Sequence, residues 1–562
     1  MYDVLAAKPD PRGVPVYLIA EGPPDALTKA LVRDAADDVL RVDTSGQRWS
    51  VEPVFPESGD SALGGFYEIC GRLNAATLPR AAFDAAYRLE DDLQARAGTS
   101  VRVRPDLESS IFGRGYTRSR SGPPADEAGG RAAVDPRWSL AAINANAAWT
   151  TPPQPAGAAR GRGVVVGHPD TGYTDSVELD LAALDLDRDR DFVTNDGDAR
   201  DPMDPSELPE GHGTRTGSVI IGREVGRVTG VAPEARLLPL RATTSVVLVR
   251  AEGVARAVEY AARMKCDVIS MSLGGILVTS VLERAIDTAV ASGTIVMAAA
   301  GNYNWAGRIA ELGLLPKPVV APARYRNCIA VGGSTQADRA WWGSARGSKI
   351  LVSAPGDGVF VPQLPESSTP KVHPSAGTSY GVAHLAGVAA LWLAHHGAAS
   401  LRQKYGKENL QRLFVHVIEK HGARKPPGWD DDKYGVGIVD AKKVLDFRLP
   451  DSLPAVRAGL EAPPTSPRTM LETALGAEEP GEADDRIAAL FGPRTRGRDD
   501  QVDRFGDEVA YLLGEHAEFL LRLNQPSRAR EAGSDAEATR TLLLSTGSPQ
   551  LVEAIGGEET LS

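Results

Sequence analysis

Between residues 138 and 445, short apolar runs alternate with helical stretches, and this alternation constrains the fold more than any other feature of the chain. The runs 163–166, 236–240, 268–272, 294–299 and 328–331 are almost continuously apolar. A strand with one face in water alternates apolar and polar residues, so an unbroken apolar run reads as a strand buried on both faces. Between these runs lie helical patterns at 212–221, 251–264, 281–292 and 379–395. Strand and helix in turn predict an α/β architecture, a doubly wound and mostly parallel sheet with helices on both faces.

The flanking regions follow other patterns. Residues 14–104 read as strand 14–20, helix 24–39, strands 39–43 and 49–55 around the turn Thr44-Ser45-Gly46, helix 78–97 and strand 100–103. That β-α-β-β-α-β order predicts a small ferredoxin-like α+β domain. Helical patterns return at 485–491, 504–523 and 536–544. Two stretches read as linkers: a basic one rich in Gly, Pro and Ser, and a later one rich in Pro, Glu and Ala. The expected division is an α+β domain at 1–108, a linker at 109–135, the α/β domain at 136–448, a linker at 449–483 and a helical domain at 484–562. Val509, Leu512, Leu513, Phe519 and Leu520 share one helix side. That stripe predicts either a local core or a docking face for a partner protein.

Charge and cysteine content narrow the setting. A net charge of −12 over 562 residues argues against nucleic-acid binding, which needs clustered Lys and Arg. No apolar stretch is long enough to span a membrane. The first residues lack the basic start and apolar run of a secretory signal. Three widely spaced cysteines, Cys70, Cys266 and Cys328, do not form a disulfide framework. Together these features lead to an expectation of a cytoplasmic protein.

Chemistry concentrates at three glycine-rich segments. Asp170 ends the first apolar strand of the α/β region in Gly167-His168-Pro169-Asp170-Thr171-Gly172. His212 sits in Gly211-His212-Gly213-Thr214 at a helix start, and Ser379 opens the helix after Gly377-Thr378. A carboxylate that fixes an imidazole, and an imidazole that takes a serine proton, make a nucleophile of a hydroxyl. Asn302 follows another strand in Ala299-Ala300-Gly301-Asn302, where its amide could donate to an oxyanion. Ser272, Leu273 and Gly274 follow the strand 268–272, where exposed backbone could pair with an extended peptide. Two rivals are weaker. Aspartic proteases need a second carboxylate motif, and Asp43-Thr44-Ser45 lacks the glycine. The Gly377-Thr378-Ser379-Tyr380-Gly381 pattern also suits an α/β-hydrolase elbow, but that family places its histidine after the serine, and no later histidine is glycine-flanked.

With the order Asp170, His212, Asn302, Ser379 in hand, residues 138–445 resemble the subtilisin-like serine proteases. Supporting segments are Trp138 to Ala145, Gly230-Val231-Ala232-Pro233, Ala354-Pro355-Gly356 and Gly435 to Ala441. The resemblance implies a serine endopeptidase in which Asp170 orients, His212 is base then acid, and Ser379 attacks. It implies an oxyanion hole from Asn302 and the Ser379 N–H, and a cleft lined by Ser272, Leu273, Gly274, Ala299, Ala300 and Gly301. The substrate would be a protein or peptide, with no cofactor required for the chemistry. The sequence departs from the family at Arg215, Tyr380, Gly381 and Ala383, none of which is a reacting group. Many members bind calcium. Here the acidic residues between Asp185 and Asp201 fit no EF-hand spacing and read as a solvated loop. Prodomains of the family resemble the α+β pattern, which leads to the expectation of an inhibitory prodomain cut within 111–124, with a permanent regulatory domain as the alternative. Two other readings of the whole chain stay open: a dedicated intracellular processing protease, and an interaction protein that has kept the fold without turnover.

Overall fold

The computed structural model describes residues 13–74, 77–107, 135–152, 160–204, 210–224, 226–246, 250–275, 279–303, 317–367, 369–453, 466–475, 477, 481, 483–492, 496–515 and 532–556. The linker between the α+β and α/β regions, with its expected cut at 111–124, lies outside them, as do Phe519 and Leu520. The chain divides into two compact units. One comprises residues 110–249 and 253–465; the other comprises 1–109 and 466–562 together with 250–252.

The larger unit is built on a nine-stranded sheet. Its strands are β5 (Val165–Asp170), β6 (Arg190–Asp191), β7 (Arg236–Arg241), β8 (Val268–Met271), β9 (Ile295–Ala299), β10 (Ile329–Ser334), β11 (Ile350–Pro355), β14 (Ala423–Arg424) and β15 (Ile438–Val439). Their spatial order is β14-β15-β11-β10-β9-β8-β5-β7-β6. Every neighbouring pair is parallel except β14 with β15. A separate hairpin pairs β12 (Asp357–Pro362) with β13 (Val372–Ala376).

β8 and β9 are buried at every residue, as unbroken apolar runs require. The helix Thr378–His396 is buried at every residue from Thr378 to His395, so it is a core element rather than an amphipathic cover. β7 lies on one side of β5 and β8 on the other, so the strand order reverses at β5. In open α/β sheets, sites form at the carboxyl ends of strands where the order reverses. Asp170 is the last residue of β5.

The second unit holds a four-stranded antiparallel sheet of β1 (Val14–Glu21), β2 (Ser50–Pro53), β3 (Phe66–Leu73) and β4 (Arg102–Pro105), in the order β2-β3-β1-β4. One expectation fails here. Residues 39–43 form no strand, only a single bridge from Val42 to Arg48, and the partner of β2 is β3. Val39 still belongs to the helix Lys29–Val39, which leaves too few residues for a strand before the turn. β3 itself, with Tyr67, Ile69 and Gly71 on one face, was not anticipated.

The helix Arg80–Ala97 carries two apolar faces. Ala82, Ala86, Leu89 and Leu93 cover the sheet with Leu18, Val32 and Ile69. Phe83 and Tyr87 point into a second cluster with Leu471, Leu475, Ile487, Phe505, Val509, Leu512, Leu513, Leu543 and Leu551. The Tyr87 and Phe505 rings meet edge to face at 5.1 Å. The helices Asp484–Phe491, Arg496–Glu515, Ala532–Thr546 and Pro549–Gly556 thus build their core around a helix of the α+β region. The helix Pro467–Ala474 joins them from within the stretch read as linker; its flanking prolines and glutamates hid Met470, Leu471 and Leu475, all of which are buried.

Candidate active site

Two glycines bring the end of β5 against the helix His212–Ile221. A Cβ at Gly213 would stand 2.0 Å from the Gly172 carbonyl oxygen, and one at Gly172 would stand 2.2 Å from the Ala199 carbonyl oxygen. Gly172 also has φ +99°, which L side chains rarely adopt. No side chain fits at either position without moving backbone, so the glycines around Asp170 and His212 set how closely the two elements approach.

In that contact His212 Nδ1 lies 2.8 Å from Asp170 Oδ1. Asp170 is fully buried and His212 is 5 % exposed. The Thr171 N–H donates to the same carboxylate oxygen at 2.8 Å. Burial pushes the Asp170 carboxyl up, but His212, His168 and the Thr171 N–H together outweigh it and hold the carboxyl below its ordinary value. The ionised form accepts from the ring, so the hydrogen of His212 sits on Nδ1 and Nε2 is left as a base. The turn is braced from below. Thr171 Oγ1 donates to Asp201 Oδ2 at 2.7 Å, and the same oxygen accepts from the Gly211 N–H at 2.9 Å.

Ser379 stands in the first turn of the helix Thr378–His396, where backbone N–H groups lack partners within the helix. Its hydroxyl donates to the Ser272 carbonyl at 3.2 Å, and the Ser272 hydroxyl donates back to the Ser379 carbonyl at 3.1 Å. The pair ties the end of β8 to the helix start. Asn302 is oriented by Thr378, whose N–H and hydroxyl both donate to Oδ1 at 2.9 Å. That fixes the Asn302 amide with its NH2 directed away from Thr378.

The two segments expected to line a substrate cleft sit at adjacent strand ends, after β8 and at the end of β9. The Gly274 N–H donates to Val246 O at 3.2 Å, the Ala300 N–H donates to Val331 O and its carbonyl accepts from the Val320 N–H, both at 3.0 Å, and the Gly301 N–H donates to Thr378 Oγ1 at 3.1 Å. Leu273 is buried.

The acidic residues before His212 hold their own loop. Asp191 accepts from the Val193 and Thr194 N–H groups and pairs with Arg241 at 2.8 Å. Asp189 accepts from the Ala199 N–H and Asp196 from the Asp198 N–H. Among the described residues no group of three or more His, Cys, Asp or Glu is placed to hold a metal ion.

Sequence reasoning passed over His168, Thr171, Thr216 and Thr378, which support the site, and read Asp201 as part of a solvated loop, whereas it is buried and accepts from Thr171 and Gly211. His168 alone carried a signal, as a histidine inside a strand that should be apolar throughout. His384 is excluded as a competing base. Burial lowers it to about 4, and its Nδ1 is spent on the Tyr380 carbonyl at 2.7 Å.

The sequence pattern of the subtilase family matches residues 161–437. Subtilisin of Bacillus pumilus is 32% identical over 234 residues, 40% of this chain and 80% of the relative. For subtilisin E of Bacillus subtilis (strain 168) the same identity over 234 residues spans 40% of this chain and 58% of the relative. An intracellular serine protease of Paenibacillus polymyxa is 34% identical over 291 residues, 51% of this chain and 83% of the relative. The parallel sheet and these matches define a serine endopeptidase. The chain belongs to the subtilase family. No helix of the described residues is long and apolar enough to cross a membrane.

Proposed function

We propose that Ser379, His212 and Asp170 form the catalytic triad of this endopeptidase. The observation that carries the reading is the buried 2.8 Å pair between Asp170 and His212 at the strand end where the sheet order reverses. Asp170 fixes the imidazole with Nδ1–H toward the carboxylate, so Nε2 takes the Ser379 proton as Oγ attacks the scissile carbonyl. The charged ring then protonates the leaving amine, and a water repeats the cycle on the acyl-enzyme. The Ser379 hydroxyl leaves its bond to Ser272 to engage His212 when substrate arrives; catalytic hydrogen bonds of a free site commonly tighten only then. The Asn302 NH2 and the Ser379 N–H hold the oxyanion. Substrate lies extended along Ser272 to Gly274 and Ala299 to Gly301, which suits unfolded or loop segments of proteins.

The α+β region acts as a prodomain-like regulator, with the chain cut within 111–124. The enzyme works in the cytoplasm, a setting consistent with three unpaired cysteines, two of them buried.

The test pairs Ser379→Ala with wild type on casein and with a fluorophosphonate label. The variant is expected to lose label and to lose about a million-fold in turnover, the loss that removing the serine causes in subtilisin itself. A variant that still cleaves casein overturns the assignment. N-terminal sequencing of the active protein tests processing: an intact Met1 in fully active enzyme rules it out.

A further inference from the structure

Asp170 spends one carboxylate oxygen, Oδ1, on His212 and on the Thr171 N–H. The other, Oδ2, is equally buried and needs a donor of its own, because an unpaired carboxylate oxygen away from water is costly. Two side chains face it. Thr216 Oγ1 lies 3.3 Å from Oδ2, and His168 Nε2 lies 3.7 Å from it. Thr216 Oγ1 and His168 Nε2 are 3.1 Å apart. All three residues are at most 1 % exposed.

The arrangement follows from two periods. His168 and Asp170 are two apart on β5, so they share a face of the strand. His212 and Thr216 are four apart on one helix, so they share a face of the helix. Where strand and helix meet, the pair Asp170–His212 is therefore stacked on the pair His168–Thr216.

Proton positions follow from the accounting. The Thr216 hydroxyl has one hydrogen, and the His212 and Gly213 carbonyls at 3.1 and 3.3 Å compete for it. If His168 Nε2 were an acceptor, that hydrogen would go to it and Oδ2 would have no donor. With the hydrogen on Nε2, His168 donates to Thr216 Oγ1, and Thr216 is free to donate to Asp170. Burial lowers the His168 ring, against Asp170, which raises it, so the ring stays neutral.

We propose that His168 is a positioning residue of this site, acting through the Thr216 hydroxyl to hold the second oxygen of Asp170. The inference rests on the triad reading above. Thr216 relays the bond, and the carboxylate is thereby clamped at both oxygens before it orients His212.

The test measures kcat, KM and the pH profile of His168→Val, Thr216→Val, Thr216→Ser and the double valine variant. Rates are taken per site titrated to completion with a fluorophosphonate, so unfolded protein is not counted. Each single valine variant is expected to lower kcat about tenfold with KM changed less than about twofold, the scale of one hydrogen bond to a charged group. A carboxylate missing one donor leans harder on the imidazolium, so the acid limb of kcat/KM should move up by about half a pH unit. Thr216→Ser keeps the hydroxyl and should stay within about twofold of wild type. The double variant should lose much less than the product of the singles, because both act on one path. A wild-type kcat and acid limb in Thr216→Val, or losses that multiply in the double variant, would overturn the proposal. The triad reading fails separately, by activity in Ser379→Ala.

Discussion

The two compact units close their cores in different ways. The catalytic unit draws on chain from 110 to 465 broken only at 250–252, and within it β7 and β8 are each soon followed by a helix, Ala251–Arg263 and Ser280–Ser292. The other unit joins the two ends of the chain. Its half-buried pair between Arg104 and Asp507, at 2.6 Å, spans 403 positions. Glu90 takes the other side of the same guanidinium at 2.7 Å. Closing so long a loop costs little more than closing a short one, because the entropy grows only with the logarithm of length. The consequence is organisational: the amino-terminal sheet depends on the carboxyl-terminal helices for one face of its helix Arg80–Ala97. The units should therefore fail independently, and mutations can show it.

The largest effect is expected from Gly213→Ala. Its Cβ would stand 2.0 Å from a backbone oxygen of the Asp170 turn, with no flexible neighbour to move aside. Destabilisation of about 3–5 kcal/mol is expected, with turnover lost. Calorimetry on a Ser379→Ala background, which prevents self-digestion, should show the catalytic unit's transition falling while the other holds. Transitions that fall together would break the comparison.

Phe505→Ala attacks the other side. Phe505 is 5 % exposed against Tyr87, and its removal should cost that unit about 3–5 kcal/mol and leave the catalytic unit unchanged. A sharper form introduces a site for an exogenous protease within 111–124, again on Ser379→Ala. After cutting, the amino-terminal fragment should co-elute with the rest on gel filtration, held by the carboxyl-terminal helices. With Phe505→Ala it should separate. A fragment that leaves the otherwise unaltered chain would show that the shared core is too weak to retain it.

These two units also differ in how far they could be read in advance. In the catalytic unit the continuous apolar runs gave the strands of the sheet centre, and the helix 212–221 was placed to the residue. Asp170 and His212, read as partners from their glycine context, do meet. Strands and helices alternate there along one nearly continuous stretch of chain, so period alone finds most of the elements. In the other unit, period shows that Phe83 and Tyr87 lie off the sheet-facing stripe of their helix, but not what covers them. Likewise Val509, Leu512 and Leu513 read as an apolar side with two candidate partners. The partner lay hundreds of residues away, beyond any local pattern. Thr216 was missed because a helix threonine takes meaning only from the crossing of its helix with β5; His168 stood out in its strand, but only the crossing shows what it faces.

The smallest effect concerns Glu508, buried on the helix Arg496–Glu515. It accepts from the Ser548 hydroxyl at 2.9 Å and from its N–H at 2.5 Å. Burial pushes its carboxyl up to about 7, against these bonds and the nearby Tyr87 and Arg80, which pull it down. In the unfolded chain it titrates at about 4.5. Between those values the folded unit holds a proton that the unfolded chain has released, so the contribution of Glu508 to stability is full below pH 4.5 and is lost as the pH rises toward 7. A gap of about 2.5 units corresponds to about 3 kcal/mol. Glu508→Gln keeps an acceptor for Ser548 and removes the titration. Denaturant midpoints of this unit at pH 5 and pH 7.5 should differ in the parent and nearly coincide in the variant. Asp507 beside it is also raised by burial, against Arg104, but from an ordinary value of 3.8. Its slope therefore begins at lower pH and persists in Glu508→Gln. A parent with no slope over this range would mean that water reaches Glu508, and that the core joining the two chain ends is looser than its packing indicates.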